Sequence, residues 1–285
     1  MLIKQCSLLL LATAALQTQA ASVWKVSSDQ HTLYIGGTIH TLSPEDYPLP
    51  TQYEEAYQAA DKVVFETDII TLHSRAFRQK MMMKLSYSDG TTVKQVLNPN
   101  TYSALEQYLR ERNIPAVAIQ HLKPSSIALS LGLIELKRLG FTSEGVDEFY
   151  SNKALQDNKE QTWLEEPDAQ IQMLADLNSQ DESAMIDYAL QDIRELPETM
   201  VSLRKNWREG NIEAMAEVGI KDFSVDYPEI YQALLVDRNN NWMPHIKSML
   251  DDKTVEFIMV GTMHLAGPDS ILTQLTASGY KIEKL

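Results

Sequence analysis

Two short segments of this 285-residue chain share a residue order in which histidine can do chemistry. Gly37-Thr38-Ile39-His40 is followed by Pro44-Glu45, and Gly261-Thr262-Met263-His264 by Pro268-Asp269. Each segment leaves an apolar run, Leu33-Tyr34-Ile35 in the first and Phe257-Ile258-Met259-Val260 in the second. A glycine at a strand end lets the backbone turn or approach another group closely. The histidine then falls just past the strand, where a loop on a rigid scaffold holds ligands and catalytic groups. A third element is Glu66, set among Val63, Val64, Phe65 and Thr67. A carboxylate leaving water must be paired or bind a metal, because burying it alone is costly; an outward-facing strand position or a salt bridge also accounts for it. His40, Glu66 and His264 together make two imidazoles and a carboxylate, a common open site for a catalytic divalent metal. Glu66 is the third ligand or the general base, and the sequence leaves both open.

Other catalytic signatures are missing. The chain has no Gly-x-Ser-x-Gly elbow, no His-Glu-x-x-His pair and no phosphate-cradling loop. His31, His73, His121 and His245 have no comparable partners and read as surface or structural residues. The one cysteine, Cys6, lies in the first twenty residues. There Lys4, an apolar run from Leu8 to Leu16 and Thr18-Gln19-Ala20 follow the order of a cleavable secretory signal, too short to span a bilayer. The expected mature protein starts near Ala21, is periplasmic or secreted, and has neither a disulfide nor a thiolate site. The formal net charge of −14 argues against nucleic acid or an anionic membrane as partner.

The elements that must position these residues are legible as patterns. Ser22–Ser27 and Thr32–Gly37 read as a hairpin, Thr51–Ala60 as a helix with Tyr53, Ala56, Tyr57 and Ala60 on one face, and Lys62–Thr67 as a buried strand. From Leu72 to about Glu213 the patterns are mostly helical: a helix opens at Asn98-Pro99, another runs from Ser126 to Leu139 with Gly140 as its cap, and a third spans Glu182–Asn206 with a break near Pro197. Met81-Met82-Met83 reads as core filling rather than as a soft-metal site. Strand patterns return at Gln161–Leu164 and Val255–Val260, and Lys281–Leu285 adds an edge. The expectation is an α/β fold, with α+β as the alternative: a mixed central sheet with flanking helices, one domain over residues 21–285, and a helical insert at about 72–213.

The ordered set Gly-x-x-His, strand glutamate, Gly-x-x-His resembles the TraB/GumN/Tiki family over nearly the whole mature chain. Gly145-Val146-Asp147, Leu164-Glu165, Asp237-Arg238-Asn239 and Leu265-Ala266-Gly267 support the likeness. The resemblance implies a sheet core related to erythromycin-esterase and ChaN-like folds and, from the Tiki members, a divalent-metal-dependent protease activity. It places His40, Glu66 and His264 in the active site, with Mn, Co or Zn as the expected ion. Arg238 joins them as an electrophilic or anion-orienting group, because a guanidinium is a permanent forked donor; a charge on a helix surface is the other reading. Asp147 reads as a helix cap or a site residue, and Glu165 as a support behind the site or an exposed side chain. The functional expectation is an exported hydrolase of peptide or small-molecule substrates. A metal-free esterase and a non-enzymatic periplasmic protein that sequesters peptide, haem or metal are the alternatives.

Overall fold

The computed structural model describes residues 21–177 and 181–285; the expected signal segment lies outside them. A six-stranded mixed sheet forms the centre. Its strands are β1 (Val23–Ser27), β2 (Thr32–Thr38), β4 (Lys62–Phe65), β6 (Glu160–Trp163), β7 (Glu256–Gly261) and β8 (Lys281–Lys284), in the order β6-β4-β7-β2-β1-β8. β6, β4, β7 and β2 run parallel to one another; β1 is antiparallel to β2, and the edge strand β8, antiparallel to β1, runs with the other four. A two-stranded ribbon pairs β3 (Thr41–Leu42) with β5 (Ser143–Glu144).

The central strands are apolar on both faces because both faces are covered. Val63, Phe65, Phe257 and Met259 pack with Tyr53, Ala56, Tyr57, Tyr150 and Trp207. Val64, Ile258 and Val260 point the other way, onto Trp242, Ile246, Leu272 and Leu275. The helices Thr51–Ala59 and Val146–Asp157 thus lie on one side, and Asp237–Met249 and Ile271–Ala277 on the other. The helices Pro99–Glu111, Pro124–Arg138 and Glu182–Glu209 build a separate core from Leu105, Leu109, Ile127, Leu131, Ile186 and Ile193. The span read as a helical insert also contributes two strands, β5 and β6, and β6 is an edge of the main sheet.

Two expectations need correction. Glu182–Glu209 runs unbroken through Pro197. Proline removes one intrahelical hydrogen bond, but Met185, Ile186, Leu190, Ile193, Leu196 and Met200 bury one continuous face on both sides of it. Burial of that stripe outweighs the lost bond. Met82 and Met83 are exposed, so the methionine run does not fill the core. The helix Arg75–Lys84 buries only Phe77 and leaves them on its outer face.

Candidate active site

Four neighbouring parallel strands end on one side of the sheet, and each is followed by a residue of interest. Glu165 follows β6, Glu66 follows β4, His264 follows β7 and His40 follows β2. Parallel strands place their carboxyl ends along a single rim, which is where open α/β sheets present binding groups.

Glu66 is buried at the centre of that rim. Its Oε1 accepts from the Gly261 N–H at 2.6 Å and its Oε2 from Arg238 Nη2 at 2.6 Å. Burial pushes the carboxyl up, but the Arg238 charge, with help from the Gly261 N–H, holds it well below the usual carboxylate range. An ionised, tightly held carboxylate is a good charge anchor and a poor proton acceptor.

Arg238 is no surface charge: its side chain is only 14% exposed. Nε lies 3.1 and 3.2 Å from the two carboxylate oxygens of Glu165, and Nη2 lies 2.7 Å from Oε1. Trp242, one turn further along the helix, donates to Glu165 Oε2 at 3.0 Å and packs its ring under the guanidinium at 4.6 Å. A π-helical turn, Gln232–Val236, leads into the helix whose second residue is Arg238. Such turns are common at functional sites, where they re-aim the residues that follow.

His264 lies in a short 3-10 turn, Thr262–Leu265, and is buried. Nδ1 is 2.7 Å from Asn239 Oδ1, and Nε2 is 3.1 Å from Arg238 Nη1. A guanidinium can only donate, so Nε2 accepts and the ring proton sits on Nδ1, donated to Asn239. Burial pushes the imidazole down to about 3, so it stays neutral at any ordinary pH.

His40 differs on every count. Its side chain is 61% exposed, and Nδ1 lies 2.8 Å from Asp147 Oδ2. The Asp147 charge raises it to about 9, and solvent screens so open a pair. Asp147 reaches His40 because the chain runs unusually close there. β3 pairs with β5, the Val146 N–H donates to Ile39 O at 3.1 Å, and a Cβ on Gly145 would lie 2.4 Å from the His40 carbonyl. Only glycine fits at that crossing.

Gly261 marks the point of convergence. A Cβ there would lie 3.1 Å from Glu66 Oε1, 3.5 Å from His40 Nε2 and 3.6 Å from His264 Cδ2. The donor types suit a divalent cation. Each imidazole is tethered through Nδ1 to Asp147 or Asn239, the outer support that orients metal-binding histidines. Two ligands of one tetrahedral ion stand about 3.4 Å apart, and His264 Nε2 and Glu66 Oε1 are separated by 3.8 Å. Among the described residues, however, no three His, Cys, Asp or Glu side chains lie close enough to grip a cation as they stand. Arg238, rather than His40, occupies the space against both His264 and Glu66.

The structure therefore joins Glu66, Arg238 and His264 directly and leaves His40 at the rim. Sequence reasoning gave no role to Asn239, the neighbour of Arg238, and missed Trp242, one helical turn beyond Arg238. It also missed His73, which lines the same cavity of about 250 Å³ as His40 and Glu66. On the other side of His40 a second, more open groove of about 380 Å³ is floored by Leu133, Leu136 and Phe141. No described helix is long and apolar enough to cross a membrane.

No curated protein and no solved structure matches the chain. A family match covers residues 22–284, which includes both Gly-Thr-x-His segments, Glu66 and Arg238, and the chain belongs to the TraB/PrgY/gumN family.

Proposed function

We propose that the protein is an exported envelope hydrolase, peptidase-like in its substrate, whose reaction centre is the rim where His40, Glu66, Arg238 and His264 meet. The observation that carries this reading is the convergence of His40 Nε2, Glu66 Oε1 and the His264 ring on the bare backbone of Gly261. Glu66 supplies fixed negative charge, pinned by two donors. Arg238, locked by the Glu165 carboxylate, supplies fixed positive charge beside an oxygen on which charge develops. His40 holds its ring orientation through Asp147 and reaches the open side, where substrate enters. His40, Glu66 and His264 would hold a divalent ion, Mn, Co or Zn, which when bound polarises a carbonyl and acidifies water.

A second reading is a metal-free esterase in which Arg238 takes the electrophilic role and the His40–Asp147 pair handles the proton. The contact between Arg238 Nη1 and His264 Nε2 favours it, because that contact occupies the lone pair a metal needs. Glu66→Gln with metal analysis and turnover assays decides between the two. Loss of bound metal together with activity supports the first reading. Turnover in metal-stripped wild-type protein supports the second. Stoichiometric binding of peptide, haem or metal without turnover in either protein removes the hydrolase and leaves a sequestering protein.

A further inference from the structure

The helix Pro124–Arg138 is apolar on two faces. It buries Ile127 and Leu131 in the helical core, yet Leu129 and Leu133 are exposed on another side. A surface helix normally turns a polar face outward. Single exposed leucines are ordinary, but Leu133 is not alone. With Leu136 and Phe141 it floors the groove of about 380 Å³ on the far side of His40. Phe141 packs with Leu196 and Met200, and Leu136 leans on the same cluster, so the floor is fixed from behind. Apart from Phe141, none of the residues lining the groove is buried, so its surface is open to a ligand.

The rest of the lining says what would lie on that floor. Thr41, Thr142 and Ser143 make a polar side, and they belong to or adjoin the β3–β5 ribbon. Among the described residues β3 and β5 pair with no third strand, so each has one edge that no strand covers. An extended peptide adds to such an edge through its backbone and turns alternate side chains to either side. A hydrocarbon chain would leave the threonine and serine hydroxyls without partners. The charges, Lys137 against Glu144 and Glu148, are of mixed sign and within reach of water, so apolar contact rather than charge decides what the groove accepts. The volume lies within the roughly 300–1,000 Å³ of ligand sites. The chain passes directly from His40 into Thr41 of β3, and His40 and Glu148 line both this groove and the cavity beside Glu66. A peptide laid along the ribbon is thereby led across His40 toward Glu66.

We propose that this groove is a specificity subsite of the reaction centre, taking a leucine-sized apolar side chain of a peptide that lies extended along the β3–β5 ribbon and passes over His40. The inference rests on the hydrolase reading for calling that peptide a substrate, and on the groove's own lining for its chemistry.

The probe is N-acetyl-leucyl-leucinamide, with N-acetyl-seryl-serinamide as its polar counterpart, titrated into the intact protein and followed by calorimetry and by nuclear magnetic resonance of the histidine rings. The leucine probe is expected to bind roughly tenfold or more tightly than the serine probe, the worth of one buried leucine side chain. It should shift the His40 signal and leave in place those of His31 and His121, which line neither cavity. Leu133→Gln keeps the helix propensity and, at an exposed position, the melting temperature; it should weaken the leucine probe about fivefold or more. Leu129→Gln, one turn earlier on the helix but outside the groove, should bind the probe as wild type does. Equal binding of the two probes, no leucine-probe binding at tens of millimolar, or binding without a shift at His40 overturns the subsite. Equal losses in Leu129→Gln and Leu133→Gln overturn it as well, since the whole helix face would then be a docking surface. So does a self-associated wild type that Leu133→Gln converts to monomer in sedimentation. Tighter binding of decanoate than of the leucine probe overturns the peptide assignment in favour of an acyl chain. Binding with the expected signs but no cleavage of any leucine-containing peptide keeps the groove and removes the hydrolase. Cleavage of peptides with no preference for leucine over serine keeps the hydrolase and removes the subsite.

Discussion

The two Gly-Thr-x-His segments share an order of residues and have opposite environments. His264 is buried, neutral and held between Asn239 and Arg238; His40 is exposed, tends to be charged, and holds one partner, Asp147. Their glycines differ too. Gly37 lies against Thr262 and gives its carbonyl to Trp207 at 2.7 Å and to Tyr53, whereas Gly261 gives its N–H to Glu66 and leaves room for the site. The register explains the split. Thr38 pairs with Gly261 and Gly37 with Val260, so the repeats lie side by side one residue out of step. Adjacent strands cannot place both histidines at the same depth under that offset. One segment became the inner wall of the site and the other its rim.

The sharpest way to break the comparison is to remove the residue that makes the inner wall. Arg238→Met leaves the Glu66 and Glu165 carboxylates buried without their shared cation. The expected cost is about 3–5 kcal/mol of stability in urea titration, with loss of any turnover. Arg238→Lys should recover little, because an ammonium cannot reproduce the fork that spans both oxygens of Glu165. A variant as stable as wild type would mean that the inner wall is not organised around this charge.

Next come the two histidines. On sequence alone, both alanine variants should weaken metal binding and leave the fold intact. The structure splits that expectation. His264→Ala removes two hydrogen bonds and the contact with the Trp242 ring at 4.5 Å, for a loss of about 2–3 kcal/mol. His40→Ala should change stability by no more than about 0.5 kcal/mol and act on turnover or metal binding instead. Equal losses of stability would sink the inner-wall and rim distinction. The acid limb offers a second measure of His264. Its folded value is depressed to about 3 from the ordinary 6.5, so its contribution is complete above pH 6.5 and is lost as pH falls toward 3. Glu66 acts in the same sense at the acid end. In chelator-treated protein, His264→Gln should flatten the melting curve across that window.

Much of the fold is legible in the order of residues, and what is hidden there has a common cause. The β1–β2 hairpin, β4, β7 and the edge strand β8 follow from local alternation and apolar runs, so a window of a few residues suffices. Glu66 stands out because a carboxylate beside three apolar strand residues demands a partner. Its partner Arg238 is 172 positions away and meets it only because β4 lies beside β7 in the sheet. Strand order is a tertiary choice that no local pattern encodes. The Asp147–His40 and Glu165–Arg238 pairs are hidden for the same reason. The contrast between the histidines is the least visible of all, since identical motifs carry no mark of depth.

The glycines carry a smaller effect and sharpen the contrast. A Cβ on Gly37 would lie 2.7 Å from Thr262 Oγ1 and 3.2 Å from Thr262 Cα, so backbone as well as side chain must shift. Gly37→Ala should therefore cost about 1–3 kcal/mol by overpacking between β2 and the exit of β7. At Gly261 the nearest contact is the Glu66 carboxylate at 3.1 Å, which has to give by only a few tenths of an ångström. Gly261→Ala should cost less than about 1 kcal/mol and yet depress turnover or ligand affinity more than Gly37→Ala does. Melting curves and activity on the same two proteins test both halves, and the reverse ranking would reassign the roles of the two motifs.

The smallest expected effect lies on the alkaline side. Asp147 raises His40 from 6.5 to about 9, so the stability that this pair contributes is complete below pH 6.5 and is lost as pH rises through 9. The direction is opposite to that of His264, and the size is small because solvent reaches both partners. In chelator-treated protein, wild type should lose a little stability between pH 7 and 9.5 that His40→Gln does not lose. Asp147→Asn should remove the same slope and bring the His40 resonance, followed by nuclear magnetic resonance, back toward an ordinary midpoint. The acid limb should be untouched by Asp147→Asn, since His264 takes its depressed value first from burial and then from the Arg238 and His40 charges, and not from Asp147. If Asp147→Asn altered the acid limb, or left the His40 midpoint where it was, the Asp147 contact would not be what sets the two histidines apart.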